Sequence, residues 1–188
     1  MVHLKKIYNF DWRVEWVRQM RNKPELMKNF RQNLPISYME QRRWFAQLNP
    51  KNVCLFTVHL DGPDPIIVGY VGLNPIDNRH SHAEFGIFLD PGYHGKGYGA
   101  LALKLLLKHG FDELKLHKIY SDVLDYPGEN TFEFYKKLGF KSEGRLKEHY
   151  SKDGKWIDSI PFAMTRKEYD SQKGILESLQ LKLAGSQK

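Results

Sequence analysis

A mixed α/β (α+β) fold, with helices packed on the faces of a sheet, is the class this sequence predicts, and three observations predict it. Short β-rich runs bounded by turn residues alternate with segments of helical periodicity. Their order is helix, helix, three strands, helix, strand, helix, two strands, which suits a mixed sheet covered by helices. The 188 residues suit one domain with a single core. No internal repeat or low-complexity segment competes with that reading.

From Asp11 to Met20, the residues Trp12, Val14, Trp16, Val17 and Met20 recur at mostly helical spacing, with Asp11 placed as the N-cap. Pro24 breaks that helix. Ser37 and Glu40 have the spacing of a capping box and start a second helix, whose apolar face carries Trp44, Phe45 and Leu48. Val53–Leu60 and Ile66–Leu73 read as a hairpin around the turn signature Asp61-Gly62-Pro63. Ala83–Leu89 is the next strand, closed by Asp90-Pro91-Gly92, and Gly99–Leu114 is a long apolar helix. A strand over Ile119–Leu124 follows, then a short helix over Thr131–Leu138 ended by Gly139. Arg145–Tyr150 and Trp156–Thr165 form two strands around Lys152-Asp153-Gly154-Lys155. Residues 1–170 are therefore expected to form one domain, and 171–188 either a helix through Ile175, Leu176, Leu179 and Leu183 or a loose tail.

Composition excludes more than it assigns. No run approaches the ~18 consecutive apolar residues of a membrane span, and the first residues lack an apolar core of signal-peptide length. Cys54 is the only cysteine, so an intrachain disulfide is impossible and the cysteine clusters of zinc sites are missing. A cytoplasmic protein without a metal centre or a membrane partner is expected. The net charge is +7 and the pI near 9.3, but Lys and Arg are spread along the chain. Nucleic-acid binding would favour a clustered basic face, so it is not the expected function. The charge is either a solvated surface or an attraction for small phosphorylated ligands.

The most informative segment runs from Asp90 to Ala100, between a predicted strand and a predicted helix. Glycines at 95, 97 and 99 let the backbone turn tightly and approach a ligand closely. The amides at the start of the following helix then favour an anion such as a pyrophosphate. The run lacks the Gly-Lys-Ser/Thr ending of a Walker loop and the spacing of the dinucleotide fingerprint. A glycine-rich turn with no ligand is the other reading of these residues alone.

In context, the stretch resembles the acetyl-CoA pyrophosphate loop of the GNAT superfamily, whose pattern is Gln/Arg-x-x-Gly-x-Gly/Ala. Gly97 and Gly99 match, whereas His94 stands in the Gln/Arg position. Phe134-Tyr135-Lys136-Lys137-Leu138-Gly139-Phe140 is similar to the family's late helix. Glu143 to Glu148, with Asp153-Gly154 and Trp156-Ile157-Asp158 behind it, resembles the closing hairpin of the Rim-type and polyamine-type branches. Ala83 to Ile87 resembles the strand before the loop. These matches follow the family's order over about residues 50–165.

The resemblance implies a GNAT fold, a central, mostly antiparallel mixed sheet flanked by helices, and acetyl-CoA as cosubstrate. It places that molecule against Ile87, Phe88, Leu89, His94, Gly95, Lys96, Gly97, Tyr98, Gly99 and Ala100. The family often has Asn seven residues before the helix tyrosine; this chain has Gly128 there, so nearby Asn130 is the candidate contact. Tyr135 is implied as the general acid near the departing sulfur, its other reading being an aromatic core residue. Glu84 is the candidate base or water-orienter, or else a strand carboxylate facing solvent or pairing with an arginine. His82, His117 and His149 are chemically able to accept a proton and are more readily explained as structural.

Acetyl transfer requires a deprotonated amine, a polarised thioester carbonyl and a proton for the leaving thiolate. No covalent enzyme intermediate is required, in keeping with the lack of a Ser-His-Asp signature. The segment Arg18, Arg21, Asn22, Pro24, then Ile36-Ser37 and Trp44-Phe45, resembles a GNAT subgroup that acetylates amino-sugar nucleotides. Arg21, Asn22 and Trp44 are therefore candidate substrate-binding residues, although they could simply build the first two helices. The expected acceptor is the primary amine of a small molecule, a nucleotide-linked amino sugar first. The alternatives are a Rim-type protein N-terminal or polyamine acetyltransferase, and a non-catalytic acyl-CoA-binding module. The basic charge makes a polycationic acceptor less comfortable. A homodimer is expected, as in many relatives.

Overall fold

The structure, a computed structural model, describes residues 1–8, 11–126 and 131–174. In chain order the elements are β1 (Val2–Lys6), α1 (Arg13–Arg21), α2 (Pro24–Met27), α3 (Tyr38–Gln47), β2 (Cys54–Leu60), β3 (Ile66–Asp77) and β4 (His82–Leu89). There follow α4 (Tyr98–Lys108), β5 (Lys118–Asp125), α5 (Thr131–Lys137), β6 (Lys141–Ser142), β7 (Leu146–Lys152) and β8 (Lys155–Thr165). Residues 166–174 are helical and are called α6.

The strands make one sheet in the order β1-β2-β3-β4-β5-β8-β6, with β7 also paired to β8. Every pairing is antiparallel except β4 with β5. The expected mixed, mostly antiparallel sheet is therefore present. One face carries α4 and α5 over a core that includes Leu103, Leu106, Leu107, Phe111 and Phe162, all fully buried. The other carries α1 to α3 over Val14, Val17, Phe45, Leu55 and Phe88. Each fully buried side chain of this kind contributes about 1.5–3 kcal/mol.

Several elements depart from the sequence reading. β1 was not expected: its Val-His-Leu-Lys-Lys run has too little apolar content for a strand signal, and it exists because it zips antiparallel onto β2. Asp11 is not the N-cap, which falls at Trp12, yet its carboxylate still accepts a hydrogen bond from the Arg13 amide at 3.0 Å. The helix expected over Gly99–Leu114 stops at Lys108 and widens into a π-type turn over His109–Glu113. There Gly110 sits so close to β5 that an added Cβ would fall 2.5 Å from Ile119 Cδ1. α6 begins five residues before the expected Ser171, at a second capping box in which Glu168 accepts from the Thr165 amide at 2.8 Å. The Ser37–Glu40 capping box is formed as expected.

Candidate active site

β4 and β5 pair over only three positions, His82–Glu84 against Lys118–Tyr120. Beyond Glu84 and Tyr120 the two parallel strands part, and the gap opens into a cavity of about 770 Å³. Strand alternation then assigns the walls. Phe85, Ile87 and Leu89 point toward α4 and α5, while Glu84, Gly86 and Phe88 share the α1–α3 face with Tyr70 and Gly72 of β3. Gly86 is exposed in the middle of the sheet, so this part of the floor is bare backbone.

At one end lies the glycine turn. Gly95 and Gly97 have φ of +73° and +79°, a region that suits glycine because it has no Cβ. A Cβ added at Gly95 would meet nothing within 4 Å, so the turn borders open space. Gly97 is the N-cap of α4, and the first intrahelical bond runs from the Leu101 amide to the Gly97 carbonyl at 3.2 Å. The amides of Gly99 and Ala100 precede that bond and lie on the cavity wall. This cradle fits a diphosphate. His94 donates its Nε2–H to the Leu89 carbonyl at 3.0 Å, tying the loop to the end of β4. Asp90 accepts from the Gly92 amide and pairs with Lys23 at 3.0 Å, anchoring the turn from below.

Tyr135 lines the cavity from α5, its ring stacked on Phe162 (4.5 Å between centroids) and edge-on to Phe85 (5.7 Å). Burial pushes its hydroxyl up to about 12, so it stays protonated at neutral pH, the form in which a phenol can donate a hydrogen bond.

The opposite wall is charged. Arg31 lies between Glu84, at 2.5 Å, and Asp122, with its guanidinium over the Tyr150 ring at 5.6 Å. Asp122 stands two residues beyond Tyr120, so it shares a face with Glu84 across the parting strands. Arg31 comes from the segment after α2, which Lys152 holds by three hydrogen bonds from Nζ, to the carbonyls of Met27 (2.7 Å), Phe30 (2.5 Å) and Gln32 (2.9 Å). Farther along, Arg21, Phe30, Trp44, Tyr70 and Phe88 complete the wall.

Residues 10–141 match the family model "Acetyltransferase (GNAT) domain". The chain belongs to the GNAT family. It is an acetyl-CoA-dependent N-acetyltransferase. It is 29% identical over 157 residues to a spermidine N(1)-acetyltransferase of Escherichia coli K12, spanning 83% of this chain and 82% of that one. It is 34% identical over 92 residues to the spermidine N(1)-acetyltransferase of Vibrio cholerae, covering 49% and 53% of the two chains. A crystal structure of spermidine N-acetyltransferase from Vibrio cholerae in complex with CoA and spermine superposes with a TM-score of 0.79, at 25% identity, over 89% of this chain and 97% of that one.

Within this GNAT cavity the structure gathers Tyr135, Glu84, Ile87, Phe88, Leu89, His94, Gly95, Gly97, Tyr98, Gly99, Ala100, Arg21 and Trp44. Two candidates stand elsewhere. Lys96 turns back to the Gly92 carbonyl at 3.0 Å and sits over Tyr93. Asn22 is a brace, exchanging hydrogen bonds of 2.8 Å with both the amide and the carbonyl of Ile36. Asn130 lies outside the described residues. His82, His117 and His149 do not line the cavity. Sequence reasoning missed Arg31, Asp122, Tyr70 and Lys152, whose roles arise from long-range contacts with no local signature. Among the described residues, no cluster of three or more His, Cys, Asp and Glu could hold a metal, and no helix is long and apolar enough to cross a membrane.

Proposed function

We propose that this chain transfers the acetyl group of acetyl-CoA directly to a primary amine of a small-molecule acceptor, with Tyr135 as general acid and the amine seated against Glu84 and Asp122. The observation that carries the reading is the parting of β4 and β5, with the glycine cradle and Tyr135 on one side and the two carboxylates on the other. Acetyl-CoA supplies the activated acyl group; the turn at Gly95–Ala100 would hold its diphosphate. An incoming ammonium is drawn to Glu84 and Asp122, and Glu84 receives or relays the proton it must lose. Arg31 now answers both carboxylates, so it has to yield part of that contact when an amine arrives.

A polyamine is the acceptor class that the relatives' names support. It takes precedence over the amino-sugar nucleotide expected from the sequence, since none of those names mentions a sugar. One observation favours the sugar nucleotide as a second reading: Arg21, on the same wall, has no carboxylate partner among the described residues and would repel a second ammonium. Residues 1–170 as one catalytic domain, and a homodimer, belong to the same proposal.

A panel of spermidine, UDP-linked amino sugars and short peptides, assayed with acetyl-CoA for free thiol, tests this reading. Acceptor-dependent thiol release is expected. CoA binding with no release for any amine would favour a non-catalytic acyl-CoA-binding module.

A further inference from the structure

The acceptor side of the cavity contains two arginines that are treated differently. Arg31 is matched by two carboxylates. Arg21 is matched by none among the described residues: its Nη2 donates to the Gln32 side-chain oxygen at 2.7 Å, and its guanidinium lies 5.6 Å from the centre of the Phe30 ring. Burial lowers its pKa, the mark of a cation short of solvent, and only the buried Tyr70 opposes that shift. A charge taken from water is costly unless a partner replaces the lost solvation. The carboxyl end of α1, where Arg21 sits, offers only about half an elementary charge.

The surroundings specify more than charge. Phe88 stacks on Tyr70 at 5.3 Å and meets Phe30 edge-on at 5.7 Å, and Trp44 completes an aromatic wall. Gln32, hydrogen-bonded to Arg21, belongs to the segment that Lys152 fixes by its carbonyl. The guanidinium is thereby oriented in advance and keeps further N–H donors for a planar or tetrahedral anion.

We infer that Arg21 is the centre of an anion-binding subsite for the acceptor, which joins its amine to a phosphate ester or carboxylate through a flat or ring-shaped body lying on the Phe30–Tyr70–Phe88 wall. This rests on the acetyltransferase reading, which places the amine at Glu84 and Asp122. It keeps the acetyl transfer of that reading but favours the second acceptor class over the first, because a simple polyamine has no group to offer Arg21.

The test is calorimetry on the full chain saturated with CoA, so that the glycine turn cannot take the probe. Uridine diphosphate serves as the phosphate probe and glutarate as the carboxylate probe. The expected result is saturable binding of one of them, weakened at least ~10-fold by Arg21→Gln, the scale of one charge-assisted hydrogen bond lost, and partly restored in Arg21→Lys. CoA affinity should be the same in all three proteins, which also shows that the variants are folded. CoA binding with no anion bound, or with anion binding indifferent to Arg21→Gln, overturns the subsite while leaving the acetyltransferase reading intact. Failure of the wild type to bind CoA removes the parent reading and the subsite with it.

Discussion

The two halves of the cavity, proposed to take the acetyl donor and the acceptor, are built by different means. The donor half comes from contiguous stretches, the end of β4 through the first turn of α4 and the helix α5, and its working groups are largely main-chain amides positioned by left-handed glycines. The acceptor half is assembled from positions far apart in sequence, Arg21, Phe30, Arg31, Trp44, Tyr70, Glu84 and Asp122, and works through side-chain charge and aromatic surface. Three carbonyls of its central segment are held by one ammonium, that of Lys152, more than a hundred residues away. A backbone cradle can be written in a short motif; a side-chain cradle depends on the whole fold.

Four perturbations break or sharpen that contrast, beginning with the largest effect. Tyr135→Phe should lower kcat by roughly 10²-fold or more, the scale of a lost general acid, with CoA affinity nearly unchanged; equal loss in both would make Tyr135 a packing residue. The same hydroxyl, held near 12, sets the sign of a pH profile. The rate should rise with pH as the acceptor amine loses its proton, without an alkaline decline from Tyr135 below that value, and a decline well below it would contradict the assignment.

Lys152→Met comes next. It removes three charge-assisted hydrogen bonds, each worth about 1.5–3 kcal/mol, and frees the segment carrying Phe30, Arg31 and Gln32. Acceptor KM should rise about 10-fold or more while CoA binding is retained; a matching loss of CoA affinity would show that the two halves are not separable. Gly86→Val is a gentler probe, because an added Cβ meets only Tyr70 Cε1 at 4.0 Å and the fold has room for it. It should raise acceptor KM several-fold by filling the bare floor, and steady-state kinetics with unchanged KM would place the acceptor elsewhere.

The smallest effect lies outside the cavity. Glu168 is held down to about 2, chiefly by its hydrogen bond with Lys141 and then by the Thr165 amide. A carboxylate depressed on folding adds stability that is complete above its ordinary value of 4.5 and is lost as pH falls toward about 2. Glu168→Ala should therefore cost about 1 kcal/mol at neutral pH, with the gap from wild type closing in acid, as read by urea melts. A gap that persists at low pH would assign the effect to something other than the carboxylate.

The same contrast explains what the sequence made legible. Helices α1, α3 and α5, most strands, the Ser37–Glu40 capping box and the glycine turn are local patterns, and the structure reproduces them. β1 escaped because its pairing partner, β2, supplies what its own residues lack. Glu84 was readable as a strand carboxylate that could pair with an arginine, and it does pair with one, but which arginine was not readable, since no spacing links residues 53 apart. Asn22 looked like a ligand in a motif and is a brace, because its amide satisfies both polar groups of one peptide segment. Arg21 and Trp44, named as substrate contacts from the same motif, line the cavity.

The most direct measurement is a calorimetric titration of CoA into the wild type and into Gly97→Val. A side chain at a φ of +79° strains the turn that forms the cradle. The wild type should bind CoA saturably, and the folded variant should bind it roughly 10- to 100-fold more weakly. Equal affinity in the two proteins would contradict the assignment of the diphosphate to that turn.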